Sequence, residues 1–190
     1  MNRRQKRLIG SAVALVVLIL SLAGQQLGWF EKPIGDIGEQ NPGLYTATRF
    51  SDGDTITVDM NGQSETVRMI GVDTPETHRP DTPVQCYGPA ASAYTKNLIG
   101  TQKVRLEADP TNQNRDRYNR LLRYVYLPDG RLVQAELIQN GYGFAYTSFP
   151  FTKKTDFIKL EEQAKANNKG LWGNCTVTEE NGRKQTNPVP

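Results

Sequence analysis

The sequence predicts an α+β domain, namely a five-stranded β-barrel of the OB type with three helices. Three observations lead to this prediction. Short segments alternate apolar with polar residues and are separated by turns, whereas longer segments of helical character begin near Pro or end at Gly. Their order along the chain is three strands, a helix, two strands and two helices, which indicates a small antiparallel barrel with added helices.

The first three predicted strands follow one another closely. Residues 43–50 and 55–60 have strand character, and the second segment alternates apolar and polar side chains. Asn61-Gly62 is a dipeptide that favours a tight hairpin turn. We therefore expect the third strand, at 63–72, to pair with the second.

The later elements are bounded by Pro and Gly. Pro89 suits the first turn of a helix, and Gly100, Gly141 and Gly170 each follow a segment of helical character. In chain order, we predict a helix at 89–100, strands at 103–108 and 120–127, and helices at 132–140 and 155–168.

Residues 1–30 are predicted to be an export signal or a membrane anchor. The segment MNRRQKR carries four positive charges and no negative ones, and residues 8–23 carry no charge. As a helix, residues 8–23 would span about 24 Å, less than the roughly 30 Å core of a bilayer, which favours cleavage after Ala23. Extension to Trp29 and Phe30 would instead give a spanning anchor.

Either alternative places the remaining chain outside the cytoplasm, because clustered basic residues resist translocation. We therefore expect an extracellular protein or one held at the outer face of the cytoplasmic membrane, with membrane contact only if the leader is uncleaved. The Pro- and Gly-containing segment 31–42 is interpreted as a linker. The folded domain is expected at 43–175, followed by a disordered tail at 176–190.

The charge of the exported part excludes a broadly basic protein. The whole chain has a formal net charge of +3, from 23 Lys and Arg against 20 Asp and Glu. Four of the basic residues lie in the leader, which leaves 19 against 20 and a net charge of −1. Any affinity for a polyanion must therefore be local rather than spread over the surface.

The two cysteines, Cys86 and Cys175, both lie in the part expected to be exported. Oxidising conditions outside the cytoplasm permit a disulfide, so we predict that they pair. Two free buried thiols are the alternative.

Carboxylate side chains are concentrated where predicted turns and strand ends would expose them. Asp54, Asp73 and Glu76 supply hard oxygen ligands, which Ca²⁺ prefers and for which it tolerates irregular geometry. With one histidine and two distant cysteines, the chain offers little to zinc. The charged segments are DGDT at 52–55, RMIGVDTPE at 68–76 and DRYNR at 116–120.

Arg68 and Arg120 lie within the same charged segments. Their planar guanidinium groups match phosphate oxygens and can stabilise the charge that develops during phosphoryl transfer. Each of these residues taken singly has an ordinary explanation, as a turn, a cap or a surface ion pair. Together, the carboxylates and arginines favour phosphodiester hydrolysis.

Several segments make the sequence similar to the staphylococcal nuclease family, from 43 to 172 almost throughout. In order they are SDGDTITV, the NGQ hairpin, RMIGVDTPET, YGPAASAYTK, DRYNRLLRYVYLPDG and NNKGLW. The resemblance implies an OB barrel with three helices. It also implies a calcium-dependent endonuclease, a metal-dependent phosphodiesterase that cuts DNA and RNA with little sequence preference and leaves 3′-phosphates.

The resemblance also assigns roles to individual residues. Those roles are calcium ligation by Asp54, Asp73 and the Thr74 carbonyl, activation of water by Glu76, phosphate binding by Arg68 and Arg120, and a nucleotide pocket lined by Tyr118 and Tyr146. Two departures lie within these segments: Asn119 stands where a glycine is typical, and Ala90 replaces a common glutamate in the first helix.

The strand register adds a geometric requirement. If a two-residue turn sets the register, Asp54 pairs with Met69 and lies four positions from Asp73, about 13 Å along a regular strand. Strict alternation would also put Arg68 and Asp73 on opposite faces. The strand must therefore coil or bulge before Asp73, and Gly71 is the predicted place.

Two other functions remain open at this point. The chain could be a non-catalytic OB module that binds nucleic acid, although such domains lack the acidic and arginine residues that this one retains. It could also be a tethered surface domain with a structural calcium site, which leaves Arg68 and Arg120 without a role. The sequence indicates no protein partner, and we expect a monomer.

Overall fold

The computed structural model describes residues 43–77, 82–180 and 182–189. The predicted leader and linker lie outside these residues. In chain order the elements are β1 (Leu44–Asp52), β2 (Thr55–Met60), β3 (Gln63–Met69), β4 (Val72–Asp73), α1 (Gly88–Ile99), β5 (Lys103–Glu107), β6 (Leu121–Tyr126), α2 (Val133–Gln139), β7 (Phe144–Ala145), α3 (Lys154–Ala166), α4 (Leu171–Asn174), β8 (Val177–Glu180) and β9 (Arg183–Thr186).

Five strands close into a barrel in the order β1-β2-β3-β6-β5. All neighbouring pairs are antiparallel except β3 and β6, which are parallel. Alternate side chains of the strands fill the interior, among them the fully buried Ile56, Val58 and Val67. With the three longer helices α1, α2 and α3, this architecture confirms the predicted α+β fold with a five-stranded OB barrel.

The first two hairpins set the register at the site. Met60 pairs with Gln63 across the Asn61-Gly62 turn, in which both residues have positive φ, as the dipeptide predicts. At the other end of β2, the Met69 amide donates to the Asp54 carbonyl at 2.9 Å. The predicted pairing of Asp54 with Met69 is therefore confirmed.

The third predicted strand breaks at Gly71, where a bend separates β3 from β4. Gly71 has φ of +75°, and a Cβ there would lie 2.6 Å from the Phe151 ring, so both backbone and packing require glycine. After the bend, Val72 and Asp73 leave the barrel sheet and pair with β7. The structure thus confirms the predicted break, although it ends the barrel strand at Met69 instead of at residue 72.

The expectation of a disordered tail at 176–190 is wrong for the described residues. β8 and β9 form an antiparallel hairpin in which Glu180 pairs with Arg183. Its residues are mostly polar, so the sequence lacks the apolar periodicity by which strands are recognised. The hairpin is held by polar contacts with the domain.

A disulfide joins Cys86 and Cys175, whose Cα atoms are 5.9 Å apart, as predicted. The bond connects the segment before α1 to the start of the C-terminal hairpin. Across the described ranges, no helix is long and apolar enough to cross a membrane.

Candidate active site

Two buried carboxylates from different parts of the chain converge on one arginine. Nη2 of Arg68 lies 2.9 Å from Oδ1 of Asp73 and 3.3 Å from Oδ2 of Asp54. Since both oxygens contact the same nitrogen, they can be no further apart than these two distances together. The bend at Gly71 thus brings together the carboxylates that a straight strand would have separated.

Local backbone contacts fix both acidic side chains. Asp54 lies in the turn between β1 and β2, and its Oδ2 accepts hydrogen bonds from the Thr74 amide at 2.8 Å and the Thr74 hydroxyl at 3.1 Å. Gly53 makes this approach possible, because a Cβ there would lie 2.8 Å from Cγ2 of Thr74. The turn and the segment after β4 therefore form one rigid unit.

Arg68 is enclosed by the bend that it stabilises. Its Nη1 donates to the carbonyls of Met69 at 2.9 Å and Val72 at 2.7 Å, and only 14% of its side chain is exposed. Burial alone would lower the pKa of this guanidinium, but Asp54 and Asp73 outweigh burial and raise it. Arg68 therefore stays charged and binds the two carboxylates to each other.

Glu76 extends the acidic cluster from the loop after β4. Its amide donates to the side chain of Gln85 at 2.9 Å, and its carbonyl accepts from the Gln85 amide at 2.9 Å, which fixes the loop. Its side chain is 22% exposed. Burial raises the pKa of Glu76, and the negative charges of Asp54 and Asp52 raise it further.

The pKa of Asp73 is also raised. Burial is the largest cause, the Arg68 charge opposes it, and the neighbouring Asp54 carboxylate adds to it. Crowded carboxylates of this kind repel one another, so the cluster is stabilised by any cation that it binds.

The structure adds an arginine that the sequence did not indicate. Arg183 of β9 donates from Nε to Oδ2 of Asp73 at 3.0 Å, and from Nη2 to Oδ1 of Asp73 at 3.3 Å and to Oε1 of Glu76 at 3.1 Å. Because residues 176–190 are predicted to be disordered, Arg183 is not assigned to the site from the sequence alone. Asn181-Gly182, the same turn signal as Asn61-Gly62, could have revealed the hairpin.

The donors at the site fit a calcium ion in kind. The hard oxygen donors are the carboxylates of Asp54 and Asp73 and the backbone carbonyl of Thr74. Thr74 is held next to Asp54, because its amide donates a hydrogen bond to that carboxylate. Among the residues that the structure describes, no three His, Cys, Asp or Glu side chains are grouped as a metal site. The proposed ligands include only two such side chains, Asp54 and Asp73, together with one backbone carbonyl, so they do not form a group of three.

Arg120 lies in the neighbouring loop and pairs with its own segment. Its Nε donates to Oδ2 of Asp116 at 2.7 Å, and 29% of its side chain is exposed. The loop precedes β6, in which Leu122 pairs with Arg68. Arg120 thus lies two residues before the sheet partner of Arg68, and its guanidinium contacts Asp116.

The two tyrosines predicted to line a nucleotide pocket occupy different surroundings. Tyr118 is 64% exposed, and the guanidinium carbon of Arg120 lies 5.4 Å from its ring centroid. Tyr146 is half-buried against Phe149, and its amide donates to the carbonyl of Gly71 at 2.9 Å. Tyr118 is thus attached to the arginine loop and Tyr146 to the bend.

Two further residues of the site segments have clear structural roles. Asn119 has φ of +64°, a left-handed conformation that Asn tolerates, which explains how it replaces a typical glycine. Asp52 accepts a hydrogen bond from the Thr77 hydroxyl, so it fixes the far side of the Glu76 loop.

Comparison with known proteins matches residues 66–174 to the family model described as staphylococcal nuclease homologue, which is more than half of the chain. The chain belongs to the staphylococcal nuclease family. Membership makes the chain a nuclease, with nucleic acids as its class of substrate. The matched segment ends before the C-terminal hairpin and therefore does not include Arg183.

Individual relatives extend over most of the chain. The protein is 41% identical to a thermonuclease of Staphylococcus intermedius over 85% of this chain and 92% of that one. It is 39% identical to a thermonuclease of Staphylococcus hyicus over 88% and 96% of the two chains. It is also 46% identical to endonuclease YncB of Bacillus subtilis, over 67% of this chain and 60% of that protein.

Proposed function

We propose that this nuclease uses Ca²⁺ to hydrolyse phosphodiester bonds of DNA and RNA without sequence preference, and that it leaves 3′-phosphate ends. The observation that carries the proposal is the convergence of Asp54 and Asp73 on one nitrogen of Arg68, with Glu76 beside them. This arrangement combines hard oxygen donors, a fixed guanidinium and a further carboxylate that is partly open to solvent.

Asp54, Asp73 and the Thr74 carbonyl would hold the ion. When bound, Ca²⁺ supplies a Lewis acid that offsets negative charge on the phosphate. The hydrogen bonds between Thr74 and Asp54 keep this donor set in place without substrate. The protein therefore does not have to reorganise its turn at the moment of reaction.

Glu76 would orient the attacking water or accept its proton. Its loop is fixed through Gln85, and its carboxylate reaches the solvent-accessible side of the cluster. A base that is held in place within hydrogen-bonding reach of the water accelerates such a step by about 10²- to 10⁴-fold.

The arginines would act on the substrate's phosphate. Arg68 keeps a fixed positive charge beside the carboxylates, whereas Arg120 is more exposed and can exchange Asp116 for a phosphate oxygen. The open ring of Tyr118 offers a face on which a base can stack. The resemblance assigns Tyr146 to the nucleotide pocket as well.

We also propose that the protein acts outside the cytoplasm, as a secreted protein or one anchored by residues 1–30. The disulfide between Cys86 and Cys175 supports this location, because such bonds persist in oxidising compartments. Fractionation of the producing cells should find nuclease activity in the medium or on the outer face of the cytoplasmic membrane. Activity confined to the cytoplasm would contradict this location.

A cleavage assay tests the proposed chemistry. Purified protein is incubated with labelled DNA and RNA oligonucleotides in calcium or in excess chelator, and the product ends are analysed with phosphatase and a polymerase. We expect calcium-dependent cutting at many sequences, with 3′ ends that a polymerase extends only after phosphatase treatment. Calcium-independent binding without any cleavage would instead support the alternative, a non-catalytic OB module.

A further inference from the structure

The C-terminal hairpin, residues 177–186, places a positive charge on the carboxylates that would bind calcium. Both oxygens of Asp73 and one oxygen of Glu76 accept hydrogen bonds from Arg183, at 3.0, 3.3 and 3.1 Å. The Arg183 guanidinium thus engages a metal-binding carboxylate and the water-activating carboxylate together.

The base of the hairpin is firmly attached to the domain. The disulfide joins Cys86 to Cys175 just before β8, the Thr186 hydroxyl donates to the Cys86 carbonyl at 2.7 Å, and the Cys86 amide donates to the Asn187 carbonyl at 2.8 Å. These contacts keep the hairpin next to the site whatever its other end does.

Near the turn end of the hairpin, the contacts between the described residues and the domain are ion pairs. Apart from Thr186 at the base, none of the residues in β8 and β9 is buried. Near the turn, Arg183 pairs with the site carboxylates, and Nζ of Lys184 lies 2.6 Å from Oε2 of Glu161. Release of Arg183 would therefore uncover no fully buried side chain of the hairpin strands near the turn.

We propose that Arg183 is a built-in competitor of calcium, so that the C-terminal hairpin restrains the nuclease until the ion displaces the guanidinium. The inference rests on the proposed calcium dependence. A guanidinium and a divalent cation repel each other at contact distance, and both require the oxygens of Asp73. Displacement of Arg183 also removes its hydrogen bond to Glu76.

The hairpin then sets the calcium concentration at which the enzyme becomes active. A bidentate contact between arginine and a carboxylate is among the stronger ion pairs, and a cation that binds Asp73 must overcome it. Arg183 is 39% exposed, so solvent screening keeps this restraint moderate and reversible.

Calcium titration of Arg183→Gln tests the proposal. Glutamine keeps a polar side chain in the hairpin and removes the charge, and Arg131→Gln is the matched control at an exposed arginine that pairs with Asp129. By calorimetry of the full chain, we expect the apparent Kd for calcium to fall about tenfold in Arg183→Gln and to stay unchanged in the control.

Cleavage provides the second measurement. The calcium concentration for half-maximal cutting should fall in parallel with the Kd, while the rate at saturating calcium stays within about twofold of wild type. Arg183→Lys keeps a charge but loses the bidentate geometry, so its calcium affinity should lie between those of wild type and Arg183→Gln.

Two results would overturn the proposal. The first is an unchanged or weaker calcium affinity in folded Arg183→Gln. The second is a large loss of rate at saturating calcium, which would make Arg183 a ligand of the substrate. If wild type cuts in a calcium-dependent way and Arg183→Gln has the same Kd, the hairpin inference alone fails; if wild type neither binds calcium nor cuts, the proposed function fails with it.

Discussion

Two buried acidic regions of this domain use carboxylates in opposite ways. Asp109, which is 3% exposed, accepts hydrogen bonds from Thr111, Tyr124 and Thr152. In contrast, Asp73 is held by Arg68 and Arg183 and lies close to other carboxylates. One region joins two loops to the barrel, and the other concentrates negative charge at the proposed active site.

The pKa values follow this difference. Burial alone would raise the pKa of Asp109, but the hydrogen bonds from Thr111, Tyr124 and Thr152 lower it far below its usual range. Burial raises the pKa of Asp73, and the Arg68 charge does not fully offset it. Asp109 is thus satisfied by fixed neutral donors, whereas Asp73 would be stabilised by an added cation.

The largest expected effect is on catalysis at the functional region. Glu76→Gln removes the negative charge while it keeps the size of the side chain, so cleavage should slow by about 10²- to 10⁴-fold. Urea denaturation should show little change in stability, and Glu107→Gln, at an exposed glutamate, is the matched control. A rate for Glu76→Gln within about threefold of wild type would remove Glu76 from the mechanism.

The next largest expected effect is a loss of stability when the disulfide that anchors the C-terminal hairpin is removed. Replacing Cys86 and Cys175 by serine releases a crosslink between residues 89 positions apart, which should destabilise the domain by about 4 kcal/mol. Equilibrium unfolding in urea, compared with the oxidised wild type, measures the difference. Equal stability of the two proteins would show that the crosslink contributes nothing to the fold.

A smaller loss of stability is expected in the structural region. Asp109→Asn weakens several charge-assisted hydrogen bonds and should cost about 2 kcal/mol of unfolding free energy. Cleavage per folded molecule should remain that of wild type, because the described hydrogen-bond partners of Asp109 all lie outside the proposed site. Loss of activity in the folded variant would mean that the two regions are coupled.

The smallest effect is the pH dependence of that stability. The pKa of Asp109 is lower in the folded than in the unfolded protein, so its stabilisation is present above the unfolded value of about 4 and is lost as the pH falls. The stability gap between wild type and Asp109→Asn should therefore narrow by about 1 kcal/mol from pH 6 to pH 3. A gap that widens on acidification would contradict the low folded pKa.

The sequence predicts the barrel well because alternation and turn dipeptides are local signals. Asn61-Gly62 and Gly71 are recognisable without tertiary information, and together they determine how Asp54 meets Asp73. The segments that carry the predicted site residues can therefore be recognised from the sequence alone. Their assigned roles remain predictions.

The C-terminal hairpin shows where apolar periodicity is insufficient to recognise strands. Its strands are polar, and their stability depends on the disulfide and on ion pairs to residues more than 100 positions away, such as Asp73. Arg120 is a second case, since sequence spacing does not show that its guanidinium contacts Asp116. In both cases the ion pair depends on the folded backbone, across 110 positions for Arg183 and Asp73 and within one loop for Arg120 and Asp116, so the sequence alone did not indicate it.

Calcium binding by three proteins tests the central claim most directly. Calorimetry on wild type, Asp54→Asn and Asp109→Asn compares the two acidic regions in one measurement, with circular dichroism to confirm folding. We predict that wild type and Asp109→Asn bind calcium with the same affinity and that Asp54→Asn binds it at least about tenfold more weakly. Equal binding by all three folded proteins would contradict the assignment of the Asp54 and Asp73 cluster as the metal site.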